Sequence, residues 1–232
     1  MPVSGSSSTW KLIYALVILA LLLLLFWLLW VRSPPVSVPP VPVPPTPVPP
    51  SPVVCAPDAS EQLPVALHSQ ETSMWCWAAS GQMVMHYIGS NVPQCTQANN
   101  RFSRTDCPCT QCGASPSPSP ACVTGGWPEF DKYGFTFVRT ASTPLTWDQI
   151  RHELSQKPGC GKTPVAFAWR WVGDGGHMMV ITGFSTVGGT NYVHINDPWA
   201  PCLGDTRIIT YDEYVSASDH THWDDFHKIR RP

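Results

Sequence analysis

Three residues in this chain have the types and order that acyl-transfer chemistry needs. Cys76 stands near the start of an apolar periodic run, ETSMWCWAASGQMVMHYIG. A cysteine in the first turn of a helix faces unpaired backbone N–H groups and the positive end of the helix dipole, which favours thiolate. Thiolate is the attacking species in covalent catalysis. His177 follows Gly175 and Gly176 and opens a second apolar run, HMMVITGF; Asn196 and Asp197 end a third, within INDPW. Nucleophile, base and a group that orients the base are the parts of a thiol hydrolase. Of the two neighbours, one points to the far face of its strand, so only one of them can orient the base. Gln70 lies six residues before Cys76 and by itself would be a loop amide.

These residues need a helix and a sheet to bring them together. Thr72 or Ser73 can cap the helix that carries Cys76, and Gly89 can stop it. Ala79, Met83 and Tyr87 share helical spacing, which puts one stripe in a core. Strand-like runs follow at 164–171, 177–184, 191–195 and 206–211, separated by Gly, Asp, Asn and Pro clusters at hairpin distances. Residues 143–156 read as a short helix. A helix first and antiparallel strands last predict an α+β domain over 58–232. The stretch 91–126, with Cys95, Cys107, Cys109, Cys112, Cys122 and a SPSPSP run, reads as an irregular loop insertion.

QETSMWCWAAS, GGHMMVITGF and INDPW together resemble bacterial papain-like cysteine proteases of the avirulence-effector type, and also the related peptidases that process double-glycine leaders. The resemblance implies a papain-like fold, with the nucleophile's helix packed on an antiparallel sheet. It places the family's nucleophile on Cys76, its histidine on His177, its acid on Asp197 and its oxyanion-hole glutamine on Gln70. The tail YDEYVSASDHTHWDDFHKI is similar to the family's closing strands. The likeness covers 70–89 and 164–228 and fails across 91–126.

Each residue has a blander reading beside this one. A lone helical cysteine is commonly a small buried apolar side chain, and a lone strand histidine a satisfied structural one. His68, His86, His152, His194, His220, His222 and His227 are read as structural. Trp75 and Trp77 are read as core and cleft wall. Cys107, Cys109 and Cys112, with Cys95 or Cys122, could hold tetrahedral zinc, but only Cys109 and Cys112 have knuckle spacing. With Cys76 free, the other eight of nine cysteines can form four disulfides, with 105 connectivities open. Disulfides are preferred over zinc, and the reading needs no metal or cofactor.

The amino-terminal part is of another kind. Leu12–Val31 is uncharged over 20 residues, with Trp10, Trp27 and Trp30 at its ends. At about 1.5 Å per residue it would span roughly 30 Å, the thickness of a bilayer core. No A-x-A-like cleavage site follows, so an uncleaved anchor is expected rather than a signal peptide. Residues 34–52 contain 11 prolines and read as a polyproline II spacer within a 32–57 linker. Residues 1–11 would form a short cytoplasmic tail. Disulfides persist outside the cytosol, which places 58–232 across the membrane.

Residues 58–232 carry 12 basic and 16 acidic groups, a net of −4, which argues against a nucleic-acid partner. The expectation is a membrane-anchored, extracytoplasmic cysteine endopeptidase acting on protein or peptide substrates, with a cell-wall peptide as one candidate. The alternatives are a peptidoglycan amidase or transpeptidase of the same catalytic type, and a surface binding module without activity.

Overall fold

The computed structural model describes residues 7–32, 53–109, 112 and 118–232. The chain divides into two compact units, Met1–Pro50 and Ser51–Pro232. In the first, helix α1 runs from Ser7 to Val31. Its Trp10–Val31 segment has a mean hydropathy of 3.1 and is long and apolar enough to cross a membrane. The expected polyproline stretch at 34–52 lies outside the described residues.

The second unit is built on one antiparallel sheet. Its strands are β1 (Ser60–Gln62), β2 (Thr136–Arg139), β3 (Val165–Trp171), β4 (Gly176–Val187), β5 (Thr190–Asp197), β6 (Asp205–Thr210) and β7 (His220–Arg230). The order is β2-β7-β3-β4-β5-β6, with β1 paired to β4, and every pairing is antiparallel. The helices are α2 (Cys76–Tyr87), α3 (Gln94–Phe102), α4 (Trp147–Leu154) and α5 (Tyr211–Val215). The α+β expectation holds.

β3 explains why both sides of the sheet are covered. Ala166 and Ala168 face a core with Trp75, Trp77, Met83, Met178 and Phe226. Val165, Phe167 and Trp169 face a second core with Ile150, Leu154, Phe184 and Tyr214. The two-residue period of a strand makes this split, and α2 covers one face while α4 covers the other. α3 lies against α2 at close range: a Cβ at Gly81 would come within 2.6 Å of Gln97 Oε1.

Several sequence expectations change. α2 starts at Cys76 with Trp75 at the cap position and no side-chain cap, whereas Thr72 Oγ1 accepts the Met74 N–H in a preceding turn. The buried Trp75 ring, donating from Nε1 to the Cys122 carbonyl at 2.7 Å, ties that turn to the insertion. Gly89 does follow the helix end, with φ of +91°. The insertion is not wholly irregular, because α3 lies inside it. The short helix is confined to Trp147–Leu154, where Thr146 and Gln149 form a capping box. The run at 206–211 ends one residue early: Tyr211 opens α5, with Thr210 as its cap. One long strand, β7, closes the fold.

The second unit also begins earlier than 58. Cys55 is bonded to Cys160, and Arg151 donates to the carbonyl of Pro57. Residues 53–57, placed with the linker on composition, therefore pack with the second unit.

Candidate active site

Cys76 is the first residue of α2, and the first intrahelical bond runs from Ala79 N–H to the Trp75 carbonyl at 2.9 Å. The backbone N–H groups of Cys76, Trp77 and Ala78 therefore precede the helical ladder and present the positive end of the dipole. Trp75 and Trp77 are both buried in the core rather than lining a cleft. Their ring nitrogens donate to the carbonyls of Cys122 and Thr124, so both neighbours of Cys76 are anchored to the insertion.

His177 is the second residue of β4 and lies opposite Trp169 on β3. Gly176 before it is required by space: a Cβ there would sit 2.5 Å from the Trp169 carbonyl and 2.7 Å from the Trp223 ring. Asp197 ends β5, beside β4 in the sheet. Asn196 pairs with Val180, so Asp197 falls diagonally next to His177 on one face. The His177 Nε2 to Asp197 Oδ1 distance is 2.5 Å. Asn196 turns the other way and donates to the Val65 carbonyl at 3.1 Å.

The Cys76 side chain is a further partner of His177 and, like Asp197, favours its charged form. Burial disfavours the charged imidazole. The hydrogen bond to Asp197, then the hydrogen bond and charge of Cys76, outweigh it and push the His177 pKa up to about 9. Asp197 is likewise disfavoured as an anion by burial. Its hydrogen bond and charge interaction with His177, the Trp199 N–H at 2.9 Å and Arg207 win, and its carboxyl lies below its ordinary value. Trp171 stacks near the imidazole, with ring centroids 6.5 Å apart, and Trp199 meets it edge-on at 6.4 Å.

Arg207, on β6, donates to Asp197 Oδ2. The sequence reading missed it. It pairs with Ile195 across the β5–β6 ladder, two residues from Asp197, so only the strand register brings them together.

Gln70 is almost fully buried, at 1% exposure. Its backbone N–H donates to the Pro198 carbonyl at 3.0 Å, and its carbonyl accepts the Cys202 N–H at 2.9 Å. The loop after Asp197 thus holds Gln70 beside the segment that leads into α2. Its Nε2 gives one N–H to the Thr72 carbonyl at 2.7 Å and keeps a second.

A model of the family described as papain-like cysteine protease AvrRpt2 matches residues 58–216. That is well over half of the chain. The chain belongs to the papain-like cysteine protease AvrRpt2 family. Membership supports protease activity, and the matched span includes Gln70, Cys76, His177, Asp197 and Arg207. No curated protein matches the chain.

Within this papain-like protease the cysteines divide cleanly. Disulfides join Cys55 to Cys160, Cys95 to Cys109, Cys107 to Cys122 and Cys112 to Cys202. Cys76 is the free one. The sulfurs weighed for zinc are thus paired in three of these bonds; Asp106 lies beside the Cys107–Cys122 pair. Of the histidines read as structural, His68 and His86 bond each other at 2.8 Å, and His227 meets Glu153.

Proposed function

We propose that this chain is a membrane-anchored cysteine endopeptidase whose catalytic unit works outside the cytoplasm. The observation that carries the reading is His177, held by Asp197 on one side and engaging the free thiol of Cys76 on the other. With a pKa of about 9, His177 is protonated at neutral pH, and in this reading Cys76 attacks as the thiolate beside that imidazolium.

The Cys76 sulfur attacks the scissile carbonyl carbon and forms a C–S bond. The carbonyl oxygen becomes an oxyanion, held by the Cys76 backbone N–H and the remaining N–H of Gln70 Nε2. His177 then gives a ring proton to the leaving nitrogen, the C–N bond breaks, and the amine departs. Neutral His177 next takes a proton from water, whose oxygen attacks the thioester and releases the acid and the thiolate. Asp197 keeps the ring oriented throughout.

Four disulfides support an oxidising compartment, and α1 supports anchoring, with the amino terminus inside and residues 33–232 outside. The test is a peptidyl epoxide on the full chain in membranes, with peptide mapping and hydrolysis of casein and of murein in parallel. Labelling of the Cys76 peptide alone, lost in His177→Ala, with cleavage of casein, is expected. Murein cleavage alone would replace the endopeptidase by a cell-wall amidase. Absence of labelling would leave a binding module. Protection of the catalytic unit from protease added to intact cells would overturn the topology.

A further inference from the structure

Gln70 sits between two clamps of different origin. On one side the 198–202 loop takes its N–H and its carbonyl. On the other, a single side chain, Gln94, grips the backbone of both neighbours. Gln94 Nε2 donates to the Ser69 carbonyl at 2.9 Å, and Gln94 Oε1 accepts the Glu71 N–H at 2.9 Å. The side-chain amide acts as one residue of an added strand, so residues 69–71 are bonded alternately to either side. Gln94 is itself nearly inaccessible, at 1% exposure. It leads α3, and its second N–H reaches Gln82 Oε1 on α2 at 3.3 Å. Gln82 in turn donates to Asn91 Oδ1 at 2.9 Å. The amide chain therefore runs from the nucleophile's own helix to the backbone flanking Gln70.

We propose that Gln94 is a positioning residue that sets the Gln70 amide against α2 for oxyanion binding. This rests on the reading of Gln70 as an oxyanion donor. Such a donor acts only when its N–H is already aimed where charge develops, and a displacement of about 1 Å costs on the order of 100-fold in rate. A backbone free to pivot at residues 69 and 71 loses that aim. Gln94 touches no reacting atom, so its loss acts on the transition state through Gln70. The attack of a free thiolate on an alkyl halide forms no oxyanion and is untouched.

The experiment uses the full-length enzyme with Gln94→Met, which keeps the volume and removes the clamp. It also uses Gln70→Ala and the double variant. Three readouts are taken: kcat and KM on a fluorogenic peptide, inhibition by a peptide aldehyde, and the iodoacetamide alkylation rate of Cys76. The aldehyde adds the Cys76 sulfur to its carbonyl carbon and leaves a tetrahedral oxygen in the oxyanion position. In Gln94→Met, kcat should fall about 10- to 100-fold. KM should be little changed, aldehyde affinity should weaken by the same factor as kcat, and alkylation should be unchanged. The double variant should be no worse than Gln70→Ala. Gln94→Glu keeps the acceptor for Glu71 and removes the donor to Ser69, and should share this signature if the Met variant folds poorly.

Wild-type kcat in both folded Gln94 variants, with Gln70→Ala impaired, would overturn the role of Gln94 and leave the oxyanion reading standing. Wild-type kcat in Gln70→Ala would overturn both. Losses that add in the double variant, or alkylation slowed in parallel with turnover, would mean that Gln94 acts on the fold at large and would also overturn the proposal.

Discussion

Arg207 holds the carboxylate oxygen of Asp197 that His177 does not use. The acid is therefore anchored at both oxygens, by a strand neighbour on one and by the imidazole and the Trp199 N–H on the other. A carboxylate fixed in this way presents one orientation to the ring. Removing the guanidinium should loosen that orientation and let the carboxyl titrate at higher pH.

Arg207→Met is expected to lower kcat/KM modestly. The guanidinium side chain is 38% exposed, so solvent screens much of its effect. A loss of about 1 kcal/mol, roughly fivefold, is appropriate to such a pair. The acidic limb of the pH–rate profile should move upward, because Arg207 is one of the causes that hold the Asp197 carboxyl down. Steady-state kinetics across pH would check both effects, and an unmoved acidic limb would contradict the assignment.

Asp197 and Asn196 should separate sharply on mutation. Asp197→Ala removes the partner of His177 and should cut kcat by about 100-fold or more. Asn196→Ala leaves the Val65 carbonyl without its donor, which should cost about 1 kcal/mol of stability and little turnover. Parallel measurements of kcat and Tm would decide it, and the reverse pattern would move the orienting role to Asn196.

The raised pKa of His177 has a sign that can be checked in two ways. A group whose folded pKa lies above its unfolded value of about 6.5 stabilises the fold fully below that value. The contribution is lost as pH rises through about 9. Stability should therefore decline between those limits, and turnover should fall across the same alkaline range as the imidazolium is lost. In Cys76→Ser the ring loses a partner that raises its pKa, so the decline should end at lower pH and be smaller in total. Thermal melts of wild type and variant over that window test the point, and coincident curves would speak against it.

The disulfides should differ in what they protect. Cys112–Cys202 ties the insertion to the loop that bonds both backbone groups of Gln70. Cys55–Cys160 ties the start of the unit to the turn after α4. Their separations of 90 and 105 residues predict similar entropic stabilisation, on the order of 4–5 kcal/mol each in the chain-entropy model. Replacing either pair by serine should lower Tm comparably. Only loss of Cys112–Cys202 should also lower kcat at temperatures where both variants remain folded. Equal kcat in the two variants would remove that loop from the oxyanion site.

Gln70, Cys76, His177 and Asp197 were legible in the sequence because their types, order and flanking motifs are local signals. So was the apolar run of α1, and so were the strand-like runs, bounded by Gly, Asp, Asn and Pro clusters, that become β3, β4 and β5. Parity of nine cysteines left one over, but not which partners the others choose, since only folded distance selects among the connectivities. α3 escaped because it buries amides: Gln94 and Gln97 face inward where a periodic apolar stripe would have announced a helix. Arg207 and Gln94 escaped for a related reason. Their partners lie across a strand register or between two helices, and each works through a hydrogen bond whose other half is distant in sequence. Sequence pattern reports what each segment must bury. Which buried amide meets which backbone group is decided only when the sheet register and the disulfides bring the segments within about 3 Å.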